Sequence, residues 1–321
     1  LFAPPELDLL SFDHLASRLK GSAVQEAAFT EGATIALKQC LDLETAEAEA
    51  EMALLEGKGI TTQEFYRLLQ THTNGRLLVE KSPGYALKPA ILQRIETGFQ
   101  APLYIHLTRH PYGMIRSYEE ARLDLLLSAD LRERFPLSRR QLAELTWLIS
   151  ERNLATFFEG IEADRVLLVR FEDILADPES TLRRICSFLG VAFQSEMLEP
   201  YREKQRRMTE GLHPQSRMIG DVKFHEHKDI SSETAEQWRK SYRTDFLSEP
   251  TAMLAARLGY PLIADEATAM SQIPTSAGTD LGQSNDAMLD GLVEADLASL
   301  SEAELDALLV HAMNEGEFDH D

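Results

Sequence analysis

The chain has 321 residues, with 32 Lys and Arg against 53 Asp and Glu, for a formal net charge of −21. That charge disfavours nucleic acid and anionic lipid as whole-surface partners, while 44% hydrophobic content supplies a sizeable core. Fourteen acidic residues and no Lys or Arg lie from Pro261 onward, so two-thirds of the net charge belongs to the tail. Taken in chain order, Thr30 to Gly57 is rich in Ala, Leu and Glu and predicts a helix that Gly57-Lys58-Gly59 stops. Thr61 or Thr62 caps a second helix through Leu69, with Glu64 placed for a capping box. Three short apolar runs, Arg76 to Glu80, Pro102 to Thr108 and Arg165 to Arg170, each precede polar residues and a helix-like stretch. That alternation predicts an α/β chain with a parallel sheet and crossover helices.

Between and after these runs lie further helical patterns. Tyr112 to Leu126 follows Pro111, which suits a first turn. Ser138 to Gly160 carries Trp147, Leu148 and Leu154 on an apolar face, and Asp177 caps a helix through Leu189 with Pro178 first. Glu199 to Gly220 is basic and polar, and Ser231 or Ser232 starts a long helix through Trp238 and Tyr242. Ala264 to Asn285 is Ser/Thr/Gly-rich and reads as a linker. Ser301 to Leu309 reads as a short amphipathic helix with a Ser301/Glu304 capping box. The expected division is thus a domain over 1–263 and an acidic linker with a short amphipathic helix over 264–321.

Two cysteines, Cys40 and Cys186, exclude a disulfide framework and a Cys-based metal site. No His/Glu cluster has metal spacing, and no apolar run approaches the roughly 18 residues of a membrane span. Leu1-Phe2-Ala3-Pro4-Pro5 has neither the basic start nor the apolar core of a signal peptide. The expected setting is cytoplasmic, and a start without Met suggests a fragment of a longer polypeptide.

A parallel sheet places its ligand sites beyond the carboxyl ends of its strands. Three polar clusters occupy such ends: Lys81-Ser82-Pro83, Arg109 with Ser117, and Arg170-Phe171-Glu172-Asp173. A guanidinium leaving a strand and a hydroxyl eight residues on, inside the next helix, could together hold a phosphate. The competing reading pairs Arg109 with Glu119 or Glu120.

In combination the motifs resemble those of sulfotransferases that use 3′-phosphoadenylyl sulfate (PAPS). Leu107-Thr108-Arg109-His110-Pro111 followed by Ser117 is similar to their 3′-phosphate motif. Val169-Arg170-Phe171-Glu172-Asp173-Ile174 with Asp177-Pro178, then Phe188-Leu189-Gly190, is similar to a second family segment. Ile219-Gly220-Asp221 to Lys228, then Trp238, resembles the cofactor lid. The resemblance covers about residues 1–262. It implies a P-loop-like, three-layer α/β/α fold with a central parallel sheet, and PAPS bound by Arg109, Ser117, Phe171 and Lys228. The family's first strand and its Gly-Ser/Thr loop, which cradles the 5′-phosphosulfate, have no counterpart in these 321 residues, in keeping with a fragment.

The same resemblance implies roles for three further residues. Glu6 falls where tyrosylprotein sulfotransferases keep a base-bearing Gly-Glu-Glu segment, and Glu80-Lys81-Ser82-Pro83 resembles their Asn-Lys-Asp-Pro, so that Lys81 faces the sulfuryl group. His213, fifteen residues before Lys228, falls about where those enzymes place a Ser. An imidazole there suits abstraction of a hydroxyl proton. Arg152 could orient an anionic acceptor. The acidic tail resembles helices that join domains in modular polyketide synthases of the curacin and olefin synthase type. There a sulfotransferase domain ahead of a thioesterase sulfates the β-hydroxyl of a 3-hydroxyacyl chain on acyl carrier protein, preparing decarboxylative elimination to a terminal alkene. Leu7, Leu9, Leu10 and Phe12, following Glu6, could then line an acyl groove or simply be core. Alternative readings are a tyrosylprotein or carbohydrate sulfotransferase, or a P-loop nucleotide kinase or binding module.

Overall fold

Two of the three apolar runs form paired strands in the computed structural model, which describes residues 1–19, 23–121, 137–202, 212 and 229–261. Strands β1 (Tyr104–Thr108) and β2 (Val166–Arg170) are parallel, in register from Tyr104 opposite Val166 to Thr108 opposite Arg170. Parallel neighbours need a crossover. Helix α5 (Pro111–Ala121) leaves β1 directly, and α6 (Arg139–Glu159) leads back to β2 behind a Ser138/Gln141 capping box. On β1, His106 and Thr108 are buried, while Ile105 and Leu107 on the opposite face are exposed.

The run from Arg76 to Glu80 departs from expectation. It forms a single parallel bridge, Leu78 with Phe2. The Phe2 amide donates to the Leu77 carbonyl, and the Val79 amide to the Phe2 carbonyl, each at 2.8 Å. Leu77 stays exposed. This bridge lays the N-terminal residues beside the loop that carries Lys81.

The Ala/Leu/Glu-rich stretch forms two helices rather than one. Helix α1 (Ala23–Leu41) gives way to Asp42 in the left-handed region, φ 56°, which Asp visits more readily than most residues. Helix α2 (Thr45–Gly57) restarts behind a Glu44/Glu47 capping box. Helix α3 (Thr62–His72) begins as expected: Thr61 Oγ1 accepts from the Glu64 amide at 3.2 Å, and Glu64 Oε2 accepts from the Thr61 amide at 2.7 Å. Its Phe65, Tyr66 and Leu69 pack with Leu7, Leu9, Leu10 and Leu37 in one core cluster. Leu7, Leu9 and Leu10 are therefore filled core and do not line an acyl groove; Phe12 is half-buried. Helix α4 (Pro89–Gly98) follows, with Ile91 and Leu92 buried.

Beyond β2, α7 (Phe171–Ala176) precedes α8 (Pro178–Leu189). Asp177 caps α8 by accepting from the Ser180 amide at 3.1 Å, and Gly190 closes it at φ 66°. The long helix expected from Ser231 is instead two short ones, α9 (Glu233–Glu236) and α10 (Trp238–Ser241), which bury Ala235 and Trp238. Helix α11 (Glu249–Arg257) packs Ala255, with Tyr260 after it, against Trp147 and Leu148 of α6. No helix among the described residues is long and apolar enough to cross a membrane. The expected tail helix, and all but the first residues of the Glu199 to Gly220 stretch, lie largely outside the described residues.

Candidate functional site

At the carboxyl end of β1 the chain turns into α5, and Arg109 stands at that turn. Its guanidinium carbon lies 4.6 Å from the centre of the Phe171 ring, which opens α7 at the end of β2. Register explains the meeting, because Thr108 and Arg170 are partners across the two strands. Cation–π contact sets the guanidinium over the ring face at the end of both strands. From below, Trp147 of α6 donates its Nε1–H to the Arg109 carbonyl at 2.9 Å. Ser117 sits on α5, half-buried, two turns beyond Arg109. Glu119 pairs with Arg140, and Glu120 with Arg116.

The charged residues around Phe171 have separate duties. Arg170 forms a two-pronged pair with Asp173, at 3.1 and 2.8 Å, and also donates to the Gly259 carbonyl at 3.1 Å. Glu172 accepts from the His110 backbone amide at 3.0 Å, which ties the end of β1 to α7. His110 itself is stacked on Trp238 with centroids 4.4 Å apart, and its Nε2–H donates to the Pro261 carbonyl at 2.9 Å. Burial pushes its pKa down to about 4, so it is a neutral packing group at pH 7.

Gly113, in the first turn of α5, makes room for Arg109. A Cβ there would lie 3.1 Å from Arg109 Nε and 3.5 Å from Trp238 Cδ1. Gly113→Ala should push the guanidinium by a few tenths of an ångström at a cost of ~1 kcal/mol, the low end for overpacking. The expected result is a retained fold whose melting temperature falls by a few degrees, read by a thermal melt.

A second pair forms at the neighbouring edge. Lys81, after the bridged segment, is in hydrogen-bonded ion pair with Glu6 of the N-terminal run. The Lys81 side chain is 65% exposed, so its ammonium can reach a bound molecule, whereas Glu6 is 25% exposed. Beneath them, burial pushes the Glu80 carboxyl up to about 7, against the lowering effect of hydrogen bonds from Tyr85 and Ser82. Burial, then the charge of Glu6, pushes Asp8 up to about 6.

Helix α6 spans both pairs. Glu151 accepts from Thr108 Oγ1 at 2.6 Å and meets His106 Nε2 at 2.7 Å under β1. Asn153 donates to the Ala86 carbonyl at 3.1 Å, in the turn that follows Lys81. Arg152, half-buried, lies between them in sequence. Of the eight residues expected at the site, the structure therefore joins Glu6 with Lys81 and Arg109 with Phe171, and sets Ser117 and Arg152 on the adjoining helices. His213 and Lys228 lie outside the described residues. Sequence reasoning missed the supporting Gly113, Trp147, Glu80 and Glu151. A glycine inside a helical pattern is the one local signal among them, since it costs about 1 kcal/mol against Ala unless something approaches closely. Among the described residues no group of three His, Cys, Asp or Glu is arranged to hold a metal ion.

The model of the sulfotransferase family matches residues 3–195, a span that includes Glu6, Lys81, Arg109, Ser117, Arg152 and Phe171. The chain belongs to the sulfotransferase family. A sulfotransferase domain model also matches residues 152–250 of this sulfotransferase. Two solved structures are similar to it. The sulfotransferase domain from the curacin biosynthetic pathway is 33% identical with a TM-score of 0.70, over 81% of this chain and 88% of that one. The sulfotransferase domain from the Synechococcus olefin synthase is 32% identical with a TM-score of 0.67, over 81% and 85%. No curated protein matches the chain. The α/β fold with its parallel strands is thus a sulfotransferase fold, as expected.

Proposed function

We propose that this sulfotransferase acts on the β-hydroxyl of a 3-hydroxyacyl chain carried by acyl carrier protein, with PAPS as donor, in a polyketide synthase. The observation that carries the donor assignment is Arg109, laid on Phe171 at the carboxyl end of β1 with Ser117 on the helix that follows. A planar cation held on a ring, with a hydroxyl two turns on along the next helix, is a donor set suited to a phosphate. The likeness to domains of a curacin pathway and an olefin synthase supports the acceptor assignment. Sulfation would then ready the chain for decarboxylative elimination to a terminal alkene, with a thioesterase as a neighbouring domain.

When bound, PAPS supplies the sulfuryl group and leaves as adenosine 3′,5′-bisphosphate. In this reading Arg109 and Ser117 hold the 3′-phosphate, the Phe171 ring supports the guanidinium, and Lys228 acts on the same cofactor. Lys81 stabilises negative charge that develops around the transferring group, and Glu6 orients the Lys81 ammonium. His213 takes the proton of the acceptor hydroxyl, and Arg152 orients an anionic part of the acceptor. Catalysis rests on positioning and charge, as in phosphoryl transfer.

The test offers the full-length protein labelled PAPS with three acceptors side by side: 3-hydroxyacyl carrier protein, a tyrosine peptide and a simple sugar. Label is expected on the carrier-bound chain. Label on the peptide or sugar and none on the carrier would overturn the acceptor assignment while leaving the sulfotransferase one in place.

A further inference from the structure

The Glu6–Lys81 ion pair joins positions 75 residues apart. Neither segment is held by a helix or an extended ladder: Glu6 belongs to a run with one bridge, and Lys81 to the loop ahead of the Pro83–Leu87 turn. Glu80 gathers them. Its Oε1 accepts from the Ser82 hydroxyl at 2.8 Å and from the Tyr85 hydroxyl at 2.7 Å, and its Oε2 accepts from the Tyr66 hydroxyl of α3. Two of those hydroxyls also receive the N-terminal backbone. The Asp8 amide donates to Ser82 Oγ at 3.1 Å, and the Leu10 amide donates to the Tyr85 oxygen at 3.2 Å. Glu80 thus ends two hydrogen-bond chains that start two and four residues beyond Glu6.

Helix α1 backs the same run from the other side. A Cβ at Gly32 would overlap the Glu6 carbonyl oxygen, a backbone atom with no rotamer to change. Only glycine admits so close an approach of helix and main chain.

We propose that Glu80 and Gly32 are positioning residues for the transfer step, together seating the Glu6 carboxylate against the Lys81 ammonium. The inference rests on the assignment of Lys81 to the sulfuryl group made above. A cation that stabilises a transition state helps most when it is placed before the reaction begins. An exposed lysine loses rotamer entropy when it is fixed, and the anchored Glu6 supplies the fixed partner. Above its raised pKa of about 7 the Glu80 carboxyl is ionised and acceptor-only, and so takes all three hydroxyl protons. Gln in its place puts an NH₂ donor where one of the oxygens stood, so at least one of the three bonds is lost.

The experiment measures kcat, acceptor KM and affinity for adenosine 3′,5′-bisphosphate in the full-length protein. Wild type is compared with Glu80→Gln and with Gly32→Ala, each also combined with Lys81→Ala. Each single change should lower kcat by ~10–10²-fold, the scale of a small misplacement. Bisphosphate affinity should stay within about twofold, and in the Lys81→Ala background the same change should cost less than about threefold, because the group being positioned is gone. Unchanged kcat in both single variants, or an undiminished loss in the Lys81→Ala background, would overturn the positioning role. If Glu80→Gln does not fold, Gly32→Ala decides alone by the same readings. A wild-type protein that transfers no sulfuryl group would overturn the functional reading and this inference with it.

Discussion

Exchange of His213 for Ala should lower turnover by ~10²–10⁴-fold, the usual contribution of a general base, with bisphosphate affinity near wild type. The loss belongs to kcat because the proton moves only in the transition state. Glu6 is the other candidate, and the structure weighs against it as the base. Its carboxylate is already engaged by the Lys81 ammonium, so it is directed at that cation rather than left open to an acceptor hydroxyl. Glu6→Gln keeps an acceptor oxygen beside Lys81 and removes the charge, so a loss of ~10-fold is expected, the scale of misplacement rather than of a missing base. The two single variants, compared by steady-state kinetics at saturating donor, separate the roles. The larger loss on Glu6→Gln, with His213→Ala near wild type, would exchange them.

Features written in short stretches of sequence were the legible ones. Thr61 with Glu64, and Asp177 ahead of Pro178, cap the helices they were expected to open, and Ser138, where a third helical pattern begins, caps with Gln141. Each is a contact across three residues, set by local geometry. Arg109 was legible because it leaves a strand into a helix, and its partner Phe171 because it does the same from the neighbouring strand. Contacts across long separations were not. Glu80 binds Tyr66 from another helix, Lys81 meets Glu6 from 75 residues away, and Glu151 reaches back 43 residues to Thr108. Nothing in composition or period marks such meetings.

Two misread elements show the same limit. Arg76 to Glu80 has a strand's composition, but a strand is defined by its partners, and here one residue, Phe2, bridges it. The Thr30 to Gly57 stretch is rich in helix formers, and the break at Asp42 rests on a single left-handed residue that, unlike Gly or Pro, is not by itself a strong stop signal. Leu7, Leu9 and Leu10 could have lined a groove on composition alone. Packing against Phe65, Tyr66 and Leu69 decides that they are core.

The cofactor assignment predicts a second large effect, and its measurement tests the account most directly. Adenosine 3′,5′-bisphosphate differs from AMP by the 3′-phosphate that Arg109 and Ser117 are assigned to hold. A charge-assisted hydrogen bond contributes ~1.5–3 kcal/mol, and Arg can offer two in parallel. Titration calorimetry of the full-length protein should therefore find the bisphosphate bound ~10²-fold or more tightly than AMP or ATP. Arg109→Ala should remove most of that difference, and should leave AMP affinity unchanged because AMP lacks the group concerned. Equal affinities for the bisphosphate and AMP in the wild type, or full bisphosphate affinity in Arg109→Ala, would contradict the account.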